Sequence, residues 1–96
     1  MKIGEIVRSL SGHDQGNFFY VVNIKEEFVY LTDGKHRKIE HPKKKRMKHV
    51  ISSGLWTHPV TGRIQSGTPV LDSEIRRALA AFRDRFSTDQ GGMTLG

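Results

Sequence analysis

The sequence predicts a small, mainly β protein: five short strands in one compact unit, then a linker and a single C-terminal α-helix. Three observations carry this expectation. The first half alternates aromatic and β-branched stretches with Gly and Asp-Gly punctuation and shows no helical period. Residues 52–71 shift to Gly, Ser, Thr and Pro with scattered apolar residues. Beyond them, Ile75, Ala78, Leu79, Phe82 and Phe86 recur at helical spacing. With 96 residues the chain has room for one module and its appendages.

Taken in order, residues 3–10 read as a first strand that ends at Ser11-Gly12, and 17–24 as a second, rich in Phe, Tyr and Val. The glycines at 12 and 16 bracket a tight loop that needs positive φ at one or both ends. A third strand over 28–32 stops at Asp33-Gly34, a dipeptide that favours a two-residue hairpin turn, so a fourth strand is expected through Arg37 and Ile39. Pro42 interrupts any ladder before a last strand near 47–51. About 20 structureless residues are unusual inside a compact domain, which sets the domain at 1–51 and a linker at 52–71. The helix is expected over 72–86, with Asp72 as N-cap and arginines near its end to suit the helix dipole. The polar, Gly-rich stretch 87–96 is expected to be a disordered tail.

Composition removes several classes of function. The chain has no cysteine, hence no disulfide, thiolate nucleophile or sulfur-ligated metal. Its longest apolar run, 18–22, is far short of a membrane span, and the N-terminus lacks an apolar signal segment, so a cytoplasmic location away from membranes is expected. No paired carboxylates, nucleophile motif or nucleotide-binding loop stand out, so the chain is read as non-enzymatic and without a cofactor. His36, His41 and His49 lie among cations that repel a divalent ion, which argues against a metal site.

The net charge of +6 is local. Residues 35–49 hold eight of the 16 Lys and Arg and one of the ten acids, a charge of +7, while the remainder sums to −1. Clustered bases of this kind neutralise phosphates and release counterions, giving salt-sensitive nucleic-acid binding. Arg37 and Arg46 offer bidentate forks, whereas Lys35, Lys38, Lys43, Lys44, Lys45 and Lys48 act as point charges, a lysine excess that favours positioning over base reading. His36 lies within the same run and joins the candidate set. Among the aromatic residues, Tyr20 and Tyr30 are the candidates for stacking on unpaired bases, because a phenol tolerates solvent; Trp56 is expected to pin the linker to the domain. Arg8 and His13 complete the candidate set. The competing reading is a solvated charge run, or a protein-interaction module of the translation or transcription machinery whose basic strip only steers association.

Gly4-Glu5-Ile6-Val7, followed by Gly12-x-Asp14-x-Gly16 and a β-rich stretch, resembles the KOW motif of ribosomal proteins and transcription elongation factors. The further run of Thr32-Asp33-Gly34-Lys35-x-Arg37-Lys38, Pro42-Lys43-Lys44-Lys45 and Glu74-Ile75-Arg76-Arg77-Ala78-Leu79 resembles the short bacterial KOW-domain RNA-binding proteins, relatives of large-subunit ribosomal proteins of archaea and eukaryotes. The resemblance spans residues 3–51 and, less closely, 72–82. It implies an SH3-like five-stranded barrel that binds RNA, often ribosomal; a monomer when free is expected, with ribosomal proteins as further partners. Gly4, Val7, Gly12, Asp14, Gly16, Asp33 and Gly34 are then its structural positions. The loop His13-Asp14-Gln15-Gly16-Asn17 departs from the family's basic loop, which moves the expected grip to 35–48.

Overall fold

The structure, a computed structural model, describes the backbone of residues 1–95 and the side chains of residues 1–85. Five strands, β1 (Ile6–Ser9), β2 (Phe18–Lys25), β3 (Phe28–Thr32), β4 (Lys43–Arg46) and β5 (Val50–Gly54), form one antiparallel sheet in the order β4-β3-β2-β1-β5. Two helices follow, α1 (Pro59–Ser66) and α2 (Asp72–Leu95). The edge strands β4 and β5 are joined only by the 3₁₀ turn Met47–His49. In a flat sheet, four steps of about 4.8 Å would set these edges about 19 Å apart, beyond the roughly 14 Å that the connection can span. The sheet is therefore strongly curled.

Its two faces bury different residues because side chains alternate along a strand. The concave face carries Val7, Phe19, Val21, Val29, Leu31 and Val50, with Ile24 and Met47 at the margin. The convex face presents Ile6 and Tyr20, which pack beneath Val60, Ile64, Ile75, Ala78 and Leu79 of the helices. β2 is thus apolar on both faces over its first half. A bulge between Val21 and Asn23 then turns Asn23 and Lys25 to the convex side beyond the reach of the helices. Of the apolar stripe expected of the C-terminal helix, Ile75, Ala78 and Leu79 are buried on the protein's own sheet, at most 1% exposed, and Phe82 packs half-buried beside them; the side chain of Phe86 lies outside the described residues.

Three expectations are corrected. The stretch 52–71 is not a linker: β5 runs into it, and α1 occupies its middle, with Val60, Thr61 and Ile64 buried. Pro59 stands in the first turn, His58 Nδ1 accepts the Val60 N–H at 3.2 Å, and Gly67 ends the helix at φ 75°. Eight residues are too few to be helical alone, so tertiary burial sustains this element. Asp33-Gly34 does not make a two-residue hairpin, and no strand runs through Arg37 and Ile39. Asp33 Oδ1 instead accepts the N–H groups of Lys35 and Arg37 at 2.9 and 2.8 Å, and Thr32 Oγ1 donates to Arg37 O at 2.6 Å, which folds 33–42 into a loop. Asp72 lies inside α2, and its carboxylate accepts the Ile39 N–H at 2.8 Å; the reach back to the start of the helix is made by Glu74, which accepts the Leu71 N–H. Helical backbone is assigned as far as Leu95, into the stretch expected to be a tail, whose side chains lie outside the described residues.

The two-residue turn between β2 and β3 places Glu26 at φ 57°, a left-handed conformation that costs a residue with a Cβ about 1 kcal/mol. Glu26→Gly is expected to stabilise the protein by about 0.5 kcal/mol after the larger chain entropy of glycine is subtracted. A rise in the urea midpoint at unchanged m-value is the expected reading.

Candidate nucleic-acid interface

β4 is the run Lys43-Lys44-Lys45-Arg46, and strand alternation splits it in two. Lys43 and Lys45 pair with Leu31 and Val29 on the concave side, and both reach Asp14 in the loop after β1. Lys45 is 8% exposed; its Nζ lies 2.9 Å from Asp14 Oδ1 and donates to Ser11 O at 2.7 Å. Lys43 Nζ lies 2.8 Å from Asp14 Oδ2, and Ser9 Oγ donates to Oδ1 at 2.8 Å. Burial alone works to raise the Asp14 pKa, but the hydrogen bonds from Lys43, Lys45 and Ser9 outweigh it and hold the carboxyl well below its ordinary range. Asp14 is therefore a structural anchor. Lys45, counted among the RNA-binding candidates, is a buried structural ion, because its ammonium is already satisfied inside the protein.

Lys44 and Arg46 point the other way. Lys44 Nζ sits 4.2 Å from the Phe28 ring centroid, and the Arg46 guanidinium carbon lies 5.3 Å from it while Arg46 Nη1 pairs with Glu27 at 2.8 Å. Lys48 is exposed in the turn that follows. Arg8 is exposed on β1 between Phe18 and Ile51, remote in register from β4. Tyr20, a candidate for base stacking, is fully buried under α1, where its hydroxyl meets Thr61 Oγ1 at 3.1 Å. Burial raises its pKa, and it has no surface to offer a base.

Lys35, His36, Arg37 and Lys38 are all exposed on the 33–42 loop. That loop lies against the start of α2, where Gly34 is buried at φ 73° and its carbonyl accepts Arg76 Nη1 at 2.7 Å. A cleft of about 520 Å³ opens there, lined by Gly16, Asn17, Phe18, Asp33, Lys35, His36, Arg76, Ala80 and Arg83. A second hollow of about 280 Å³ shares Asn17, Asp33 and His36 with it and adds His13, Asp14, Phe19, Arg37 and Lys43. The two adjoin through those shared residues as a groove whose walls carry Lys35, Arg37, Arg76 and Arg83, with Lys43 paired to Asp14, against two acids. Asp14 is neutralised by its lysines, and Asp33 turns Oδ1 to the backbone of its own loop.

The groove adds Asn17, Arg76 and Arg83 to the binding candidates named by number from the sequence. A signal existed for the arginines: Arg76, Ala80 and Arg83 fall at i, i+4 and i+7, one helical face beside the apolar stripe. Trp56, expected to pin its segment, packs edge-on to Phe82 at 5.7 Å and stacks on His58 at 6.4 Å, and the Arg85 guanidinium carbon lies 5.5 Å over its ring. Among the described residues, no group of three His, Asp or Glu converges as metal ligands would, and no helix is long and apolar enough to cross a membrane. No protein-family model matches this chain, and no curated protein matches its sequence.

Proposed function

We propose that the protein binds RNA, through a KOW-type SH3-like barrel whose cationic groove grips phosphates, and that its target is ribosomal RNA of the large subunit in the cytoplasm. The observation that carries the reading is the convergence, in one cleft, of Lys35 and His36 from the 33–42 loop with Arg76 and Arg83 from α2. Guanidinium forks and ammonium groups set on two separate walls match a polyanion whose charges lie on a continuous backbone. The curled five-stranded sheet with a short turn between its edges agrees with the barrel that the sequence resemblance implies. The groove's free charge is cationic and its acids are engaged, which suits binding rather than general acid–base chemistry. The protein-interaction alternative drew in part on the apolar stripe of α2, and Ile75, Ala78 and Leu79 of that stripe are spent on the protein's own sheet.

The test is RNA association across a salt series with groove variants. With about five cations engaged, log K is expected to fall with log salt at a slope near −4, so doubling the salt weakens binding about 16-fold. The pair Lys35→Glu and Arg76→Glu is expected to abolish association in binding assays and to remove large-subunit crosslinks in ultraviolet crosslinking of growing cells. Reversal at Lys45 is unsuitable for this purpose, because Lys45 holds Asp14. A flat salt response, or unchanged crosslinks in the groove variant, refutes the reading.

A further inference from the structure

The convex face of the sheet is covered by helices only at one end. Beyond Tyr20 and Thr32, the last cross-strand pair under that cover, it continues as two rows: Asn23, Tyr30 and Lys44, then Lys25, Phe28 and Arg46. Both aromatic residues stand on the middle strand of the three, partly exposed, and the four residues flanking them are all exposed. Their Cβ positions lie two residues apart on one strand face, about 6.7 Å. The neighbours over Phe28 are the Lys44 ammonium and the Arg46 guanidinium. A hollow of about 200 Å³, lined by Lys25, Glu26, Phe28, Tyr30 and Lys44, opens on this face.

The geometry points to this face as a second RNA site: a stacking platform for unpaired bases, with Tyr30 receiving one ring and Phe28 the next as Lys44 and Arg46 move from over its ring to the connecting phosphates, alongside Lys25. The inference rests on the RNA-binding reading and names the form of RNA it takes, a single-stranded segment. Aromatic rings on a strand surface framed by cations suit unpaired nucleotides, whose π-faces are inaccessible inside a duplex. Charge complementarity favours the polyanion although Glu26 and Glu27 sit at the turn. The Arg46–Glu27 pair is exposed on both sides, so it holds Arg46 weakly and yields it readily to a phosphate. Asn23 stands beside Tyr30 in register; its Oδ1 accepts the Ile24 N–H at 2.9 Å, which leaves the amide NH2 to donate to a base edge. β3 links the platform to the groove, for Tyr30 lies three residues, about 10 Å, from Asp33 on the groove wall.

The experiment uses the full chain with two probes, a ten-nucleotide oligouridylate and an RNA duplex of equal length, each titrated while ring and amide resonances are followed by NMR. Tyr30→Ser is expected to weaken oligouridylate binding about ten-fold or more and to leave duplex binding unchanged, whereas Tyr30→Phe keeps wild-type affinity because stacking needs the ring and not the hydroxyl. In the wild type, the oligouridylate is expected to shift the Tyr30 and Phe28 ring resonances and the Lys44 amide. If RNA binds and shifts groove residues alone, with the two rings unmoved and Tyr30→Ser silent, the platform is refuted while the groove reading stands. If neither probe binds, both are refuted. Shifts of the same rings by an added acidic peptide, with none from RNA, assign the face to a protein partner and overturn the proposal.

Discussion

Asp14→Ala is expected to destabilise the protein by about 3 kcal/mol and to lower its melting temperature by more than about 10 °C. The substitution leaves the Lys45 ammonium, 8% exposed on the concave side of the sheet, with the Ser11 carbonyl as its one partner among the described residues, and it also removes the carboxylate that pairs with Lys43 and accepts from the Ser9 hydroxyl, which keeps Ser11 O. Removing one member of a buried ion pair costs far more than the pair is worth, because the remaining charge stays desolvated. The double variant Asp14→Ala with Lys45→Met is therefore expected to recover much of the loss, which identifies the stranded charge as the cause. The same cluster sets a pH dependence. The folded-state pKa of Asp14 is depressed from 3.8, so its stabilising contribution is fully present above about pH 4 and is lost as pH falls further, toward the folded value. Asp14→Asn removes this titration, so the stability gap between it and the wild type is expected to narrow below pH 4 in chemical denaturation. A gap that is constant across that range refutes the assignment.

Gly34→Ala is the second large effect, with an expected loss of about 2–4 kcal/mol. A Cβ at this position would stand 2.2 Å from the backbone oxygen of Asp72 and 3.1 Å from Arg76 Cγ, on a residue at φ 73°. The left-handed backbone costs about 1–2 kcal/mol for alanine, and displacing the start of α2 adds an overpacking cost of similar size. The consequence extends to function, because Gly34 O receives Arg76 and the loop it anchors carries Lys35 and His36. Faster amide exchange at Ile39, whose N–H is held by Asp72, is expected together with weaker RNA binding, even where the variant remains folded at low temperature. Unchanged exchange at Ile39 would show that the loop and α2 are not coupled through this contact.

These two positions also mark the limit of what was legible in the chain. The mainly β first half, the third strand at its observed bounds and the C-terminal amphipathic helix follow from local pattern, because alternation and helical period are written into consecutive residues. The fourth strand was displaced because Asp33 spends its side chain on the backbone of a wider loop. α1 was missed because eight residues with Gly62 in their midst carry little propensity; contact with Ile6 and Tyr20 makes the helix. Tyr20 was counted among the stacking candidates, since a phenol in an aromatic run can face either way until the helices choose a side.

The candidate site divides in the same manner. By itself, the sequence determined that the protein concentrates its positive charge in one window, for charge is additive along a chain and needs no fold to be counted. Only the tertiary structure decided how each charge is used. Strand register sent Lys43 and Lys45 inward to Asp14 and Lys44 and Arg46 outward to Phe28, and the docking of α2 brought Arg76 and Arg83 to the 33–42 loop. The reason is geometric: a one-residue shift reverses a strand side chain's face, and residues forty positions apart become neighbours only through the packing that joins them.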